Sequence, residues 1–180
     1  MNIYALLVGI NAYPRRPLNQ CVKDVAKMET YFDSLNSASI KVKKKILTDK
    51  KATKSAIVKG IKNFLSKAKA DDVAFFYYSG HGAYEDANGL FSDEPDGAME
   101  CIVAYHTAKQ KSGFLLADKE IRYLFKNLPN NAHLVSVFDC CHSGDMVRDQ
   151  LEEGALKRLS GVFPARKYNQ FIFNKAISKS

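Results

Sequence analysis

Val73-Ala74-Phe75-Phe76-Tyr77-Tyr78-Ser79-Gly80-His81-Gly82 is an apolar run that stops abruptly in small and polar residues. Asp71-Asp72 introduces it, and Val73 to Ser79 has the length and composition of a strand covered on both faces. A second run of the same kind, Leu134 to Phe138, ends in Asp139-Cys140-Cys141-His142-Ser143-Gly144. The first run delivers a histidine at its end and the second delivers a cysteine. If the two are neighbouring strands of one sheet, an imidazole and a thiol meet at one edge.

Reading outward supplies the rest of that sheet. Ile3 to Ile10 is apolar almost throughout and predicts another buried strand. Val22, Val25, Met28, Phe32 and Leu35 then recur at helical spacing. Ile40 to Leu47 predicts a further strand, and Thr53 caps a helix with the stripe Ile57, Ile61, Phe64, Leu65 and Ala68. Gly80 to about Met99 reads as a long polar loop, of a length that is usually functional. Cys101 to Tyr105 predicts a short strand, Asp118 to Leu128 a helix, and Gln170 to Phe173 a last strand-like piece. Strands alternating with helices imply an α/β fold with a mostly parallel sheet and helices on both faces. In such sheets the working residues sit at the carboxyl ends of the strands, where His81 and Cys141 both fall.

The bulk numbers set limits. At 180 residues and 46% hydrophobic, the chain supports one well-buried core. Cys21, Cys101, Cys140 and Cys141 show no CxxC spacing, which favours free thiols in a reducing compartment over a disulfide framework. A strand begins directly at the amino terminus and no apolar run approaches a membrane span, so a cytoplasmic protein is expected. The net charge of +8 invites a nucleic-acid reading. Its densest stretch, Lys41-Val42-Lys43-Lys44-Lys45, instead has the pattern of an outer strand whose lysines discourage edge pairing. It also lacks interleaved aromatics for stacking bases.

A cysteine nucleophile needs a thiol to attack and an imidazole to manage the proton. Taken singly, His81 reads equally well as a turn histidine, and Cys140-Cys141 as small buried hydrophobes. A zinc site is a further alternative, although Cys140, Cys141 and His142 are too close in sequence to converge tetrahedrally.

Ser79-Gly80-His81-Gly82 and Asp139-Cys140-Cys141-His142-Ser143-Gly144 resemble the paired motifs of caspase-like cysteine peptidases of the metacaspase and orthocaspase branch. Tyr4 to Asn11 with Leu18 to Val25 is similar to that family's opening strand and first helix. The resemblance covers residues 3–145 and implies a caspase-like three-layer sandwich. One domain over 1–180 is then expected, with 146–180 a processing linker or an incomplete small-subunit region. It implies Cys141, not Cys140, as nucleophile, His81 as its partner, and the amides of Gly82 and Cys141 as oxyanion donors. It further implies that Cys21, Asp24, Ser79 and Asp139 hold the substrate side chain. Two carboxylates in one pocket suit a guanidinium or ammonium group, so cleavage after Arg or Lys is expected.

The chemistry itself requires no cofactor. Under the resemblance, Asp93, Asp96 and Glu100 of the acidic loop are expected calcium ligands, with calcium an activator. Met99 and Arg148 depart from the family pattern there. Lys157-Arg158 and Arg166-Lys167 lie where family members are cut during activation. The expected partners are protein or peptide substrates with Arg or Lys before the scissile bond, and a small-subunit-like or regulatory protein. No membrane is expected, and nucleic acid is disfavoured. The alternatives are an incomplete large subunit or pseudo-peptidase scaffold, and a basic nucleic-acid-binding domain.

Overall fold

The computed structural model describes residues 1–87, 97–129, 132–140 and 158–173. Four strands pair in parallel: β2 (Lys41–Thr48), β1 (Asn2–Gly9), β3 (Val73–Ser79) and β7 (His133–Asp139), in that order. The two runs that lead to the histidine and the cysteine are therefore neighbours, with Ser79 directly opposite Asp139. Alternation along β1 divides the core. Ile3, Ala5 and Leu7 face one side with Val25, Phe32 and Tyr77, while Tyr4, Leu6 and Val8 face the other with Ile57, Ile61, Ile121 and Leu124. Helix α1 (Cys21–Ser34) thus covers one face, and α2 (Lys54–Asn63) with α3 (Asp118–Lys126) covers the other. This is the expected three-layer arrangement. Thr53 caps α2 by accepting the amide of Ala56 at 3.2 Å, a bond contributing about 1 kcal/mol.

β2 is the outer strand of this sheet. Lys44 bonds Glu29 at 3.0 Å and Asp33 at 2.6 Å, and Lys43 bonds the Tyr4 hydroxyl at 2.9 Å. Two cations of the densest basic stretch are therefore committed within the fold, in keeping with an edge rather than a nucleic-acid surface. Among the described residues no helix is long and apolar enough to cross a membrane.

Two expectations are corrected. The stretch after Gly80 is not loop throughout: β4 (Gly82–Asp86) forms an antiparallel pair with β5 (Ala98–Val103). The strand escapes a reading by pattern because Glu85, an acid, points inward and is 1% exposed. β6 (Leu115–Ala117) and β8 (Arg158–Phe163) complete a second sheet in the order β6-β5-β4-β8. Gln170 to Phe173 is also not a strand. Tyr168–Gln170 is a 3-10 turn, and Phe171 and Phe173 stack at 5.4 Å as a buried plug. Their spacing mimics strand alternation while both rings enter one core.

What holds that plug is ionic. Arg166 grips Glu85 through two bonds of 2.6 and 2.7 Å and reaches Glu120 at 3.0 Å. Its guanidinium also lies 4.2 Å from the Phe171 ring centre. Glu120, fully buried, further accepts from Lys54 at 2.9 Å and from the amides of Ala117 and Ile172 at 3.0 Å. Replacing Arg166 by Leu takes the cation from the buried Glu85 and leaves Glu120 with Lys54 alone, and is expected to destabilise the fold by about 3–5 kcal/mol. Lys27→Ala, which breaks the exposed pair with Asp24, should change stability by less than about 1 kcal/mol. Urea denaturation measures both, and equal small effects would contradict a buried clasp.

Candidate active site

The parallel register brings the ends of β1, β3 and β7 level, with Gly9, Ser79 and Asp139 side by side. On the α1 face, the Ser79 hydroxyl donates to Asp139 Oδ2 at 3.0 Å and the Tyr77 hydroxyl lies 3.5 Å from the same oxygen. Asp24 stands in the first turn of α1 and its charge acts on Tyr77. Gly9 lets α1 come this close, since a Cβ there would sit 2.7 Å from the Cys21 carbonyl oxygen and from Val25. Ser79 and Asp139 are thus joined directly. Asp24 enters the same electrostatic neighbourhood, and the buried Cys21 lies at the root of the helix that carries it.

On the opposite face, His81 is fully buried in the turn after β3. Its Nε2 lies 2.7 Å from the backbone carbonyl of Arg16. A carbonyl only accepts, so Nε2 carries the proton and donates. Nδ1 is then the basic nitrogen, and among the described residues it has no hydrogen-bond partner. Arg16 reaches this position with φ 53, a left-handed conformation uncommon for a side-chain-bearing residue. Asp49 holds the start of its loop by accepting the amides of Asn11 and Ala12 at 2.7 and 2.8 Å. Cys140 packs against the core cluster on the α2 and α3 side, as a structural thiol would. Cys141, the sequence-expected nucleophile, lies outside the described residues.

Gly82 opens β4. The bonds from Val103 N to His81 O and from Ala87 N to Gly97 O set the alternation of the β4–β5 ladder. That alternation turns the Gly82 amide away from β5 and toward β8, where Gly82 stands opposite Arg158. Of the expected calcium ligands, Glu100 is exposed on β5, and Asp93 and Asp96 lie outside the described residues. Among the described residues no group of three or more His, Cys, Asp or Glu side chains gathers to hold a metal.

Four contributors are invisible to sequence reasoning. Tyr13, Tyr78 and Asp49 read as turn, strand and strand-end residues, and the Arg16 contribution is a main-chain oxygen that no side-chain pattern reports. The motif glycine Gly80 is the one signal of them: a Cβ there would lie 2.5 Å from the Tyr13 and Tyr78 hydroxyls.

A parallel sheet layered between helices, with an imidazole and an acidic pocket on adjoining strand ends, defines a caspase-like α/β domain. The crystal structure of a Geobacter sulfurreducens protein shares this fold, with a TM-score of 0.66 and 24% identity, over 81% of this chain and 52% of that one. The family is decided by sequence: the model for the metacaspase peptidase C14 domain matches residues 4–150, and the chain belongs to the metacaspases. Metacaspase-1 of Ajellomyces capsulatus is 35% identical over 147 residues, covering 78% of this chain and 40% of the relative. Metacaspase-2 of Trypanosoma brucei brucei is 34% identical over 152 residues, covering 81% of this chain and 42% of the relative. The chain therefore spans well under half the length of these relatives.

Burial raises the phenols of Tyr13 and Tyr78 above their ordinary range. Burial, followed by the Asp139 charge, pushes Tyr77 up to about 12. Unfolded tyrosines ionise near pH 10 while these three stay neutral in the fold. Their contribution to stability is thus fully present below about pH 10 and is lost as pH rises through the raised values. Urea midpoints should fall steeply between about pH 10 and about pH 12, and less so in Tyr77→Phe. A flat profile for the wild type would contradict the burial.

Proposed function

We propose that this chain is a cysteine endopeptidase that cleaves peptide bonds after Arg or Lys. The observation that carries the proposal is the Ser79–Asp139 bond of 3.0 Å, on strand ends two residues before His81 and two before Cys141. A carboxylate held there, with Asp24 nearby, suits a cationic side chain and would repel an aspartate.

In the proposed reaction the Cys141 sulfur attacks the scissile carbonyl carbon and forms a C–S bond, while its proton passes to His81 Nδ1. The carbonyl electron pair moves to oxygen, which the amides of Gly82 and Cys141 stabilise. Collapse breaks the C–N bond as Nδ1 protonates the departing amine. His81 then takes a proton from water, the hydroxide attacks the thioester, and the C–S bond breaks to restore the thiol. The Arg16 carbonyl favours this sequence because it accepts from Nε2 and so leaves Nδ1 as the basic nitrogen. Protein and peptide chains are the substrate class.

Calcium enters the proposal as an activator only, through Glu100 with Asp93 and Asp96, and no step of the mechanism uses it. Arginyl, lysyl and aspartyl fluorogenic peptides, each with calcium and with a chelator, test the reading. Turnover of the first two is expected, with Cys141→Ala lowering it by roughly 10⁴-fold. Asp139→Asn should lower kcat/KM for the arginyl peptide by roughly tenfold to a hundredfold, the loss of one charged hydrogen bond. Comparable turnover of the aspartyl peptide would defeat the specificity, and equal rates with calcium and chelator would remove the activator.

Self-processing is proposed at Lys157-Arg158 rather than Arg166-Lys167. The Arg166 side chain is only 10% exposed and is held by two buried carboxylates, so it would have to leave the clasp before entering an active site. Incubated wild type should yield a fragment ending at residue 157 or 158 that Cys141→Ala does not. Mass spectrometry reads the cut, and a fragment ending at Arg166 would contradict the assignment.

A second reading, a large subunit that works with a small-subunit-like partner, is favoured by β7. Among the described residues this strand pairs only with β3, and Val137 and Phe138 are 39% and 37% exposed.

A further inference from the structure

His81 is held by more than the Arg16 carbonyl. Its amide donates to the Tyr13 hydroxyl at 3.1 Å, and its carbonyl accepts from the Tyr78 hydroxyl at 2.7 Å. The two hydroxyls lie 3.1 Å apart. Each also reaches the Val103 carbonyl, Tyr13 at 2.8 Å and Tyr78 at 2.9 Å, and Tyr78 accepts the Val103 amide at 3.2 Å. Tyr13 and Tyr78 are both buried. The Tyr13 ring lies against the imidazole, with centroids 4.5 Å apart at 47°.

These bonds fall on both sides of one α-carbon. The peptide before it carries the His81 N–H, and the peptide after it carries the His81 C=O together with the Gly82 N–H. Fixing both peptides fixes φ and ψ of His81, and with them the direction of the Cα–Cβ bond that aims the imidazole. The second peptide is planar and trans, so its C=O and N–H point in opposite directions. Drawing the His81 carbonyl toward Tyr78 and the Val103 amide therefore drives the Gly82 N–H the other way. We propose that Tyr13 and Tyr78 are positioning residues of the active site. Their paired hydroxyls clamp the two peptides of His81, so that the imidazole and the Gly82 amide are aimed by one device.

The clamp accounts for the motif glycine. Gly80 has no Cβ because the two hydroxyls occupy the space where one would lie, 2.5 Å away. It also ties the imidazole to the loop that orients it, because Tyr13 and Arg16 sit three residues apart and touch the ring's face and its Nε2. Buried hydroxyls held this way have little freedom, which is what an oriented site requires.

The inference rests on the peptidase reading, and the test separates the two. Tyr13→Phe and Tyr78→Phe keep the rings and remove only the oxygens. Each is expected to lower kcat on the arginyl peptide by roughly tenfold or more with KM within about twofold, since a transition-state donor is misaimed while substrate binding is untouched. The double variant should be little worse than the single ones, because the two hydroxyls act as a unit. Tyr4→Phe, which removes a hydroxyl bound to Lys43 far from the turn, should leave kcat unchanged. Nitrogen-15 spectra of the imidazole give a readout independent of turnover. The wild type should show His81 as the Nε2–H form alone, and Tyr13→Phe should show a mixture of tautomers. Gly80→Ala should reproduce that mixture by displacing the hydroxyls. A wild type without turnover would sink the peptidase reading and leave the clamp to be judged by the ring spectrum. Unchanged ring nitrogen shifts in both single variants, or kcat within twofold of an active wild type, would overturn the clamp.

Discussion

The parallel pairing of β3 with β7 is the constraint on which everything else depends. It sets Ser79 opposite Asp139, and a slip of one residue would carry Asp139 to the other face of the sheet. Register is secured by burial on both sides. Phe76 and Tyr78 belong to the core beneath α2 and α3, and Phe75 and Tyr77 to the core beneath α1. The same alternation divides labour at the rim. The α1 face receives Ser79, Asp139 and Asp24, two carboxylates beside a hydroxyl, while the other face receives Tyr78, Cys140 and the loop that holds His81.

The imidazole carries no side-chain carboxylate partner among the described residues. Its orienting group is the Arg16 main-chain carbonyl at 2.7 Å, which fixes the tautomer without adding a negative charge. The carbonyl depends on a loop anchored by Asp49 and by Tyr13. A short polar bond from the strand end after β2 and a buried phenol together secure what the loop's own sequence does not.

Much of this is legible in the chain. Ile3 to Ile10 and Val73 to Ser79 are apolar almost throughout because both faces of those central strands are covered, whereas Leu134 to Phe138 is legible from its apolar composition although Val137 and Phe138 are exposed. The lysines of Lys41 to Lys45 mark the edge strand. The misreadings arise where a side chain's destination is set from far along the chain. Glu85 makes β4 look like loop because its buried carboxylate is matched by Arg166, a residue distant in sequence. Phe171 and Phe173 imitate a strand because a plug and a strand share spacing. The site's side-chain members, His81, Ser79, Asp139 and Asp24, are visible through motif and family. Its main-chain oxygen and its two hydroxyls are not, since tyrosine in an apolar run gives no sign of what its oxygen touches.

The central claim is that one thiol, Cys141, works beside a cation-selective pocket. Alkylation with an arginyl and with an aspartyl chloromethyl ketone, followed by peptide mapping, tests it most directly. The account predicts a single adduct from the arginyl reagent on Cys141, in which the sulfur displaces chloride, and none from the aspartyl reagent. Labelling on Cys140 or Cys21, or equal labelling by both reagents, would contradict it.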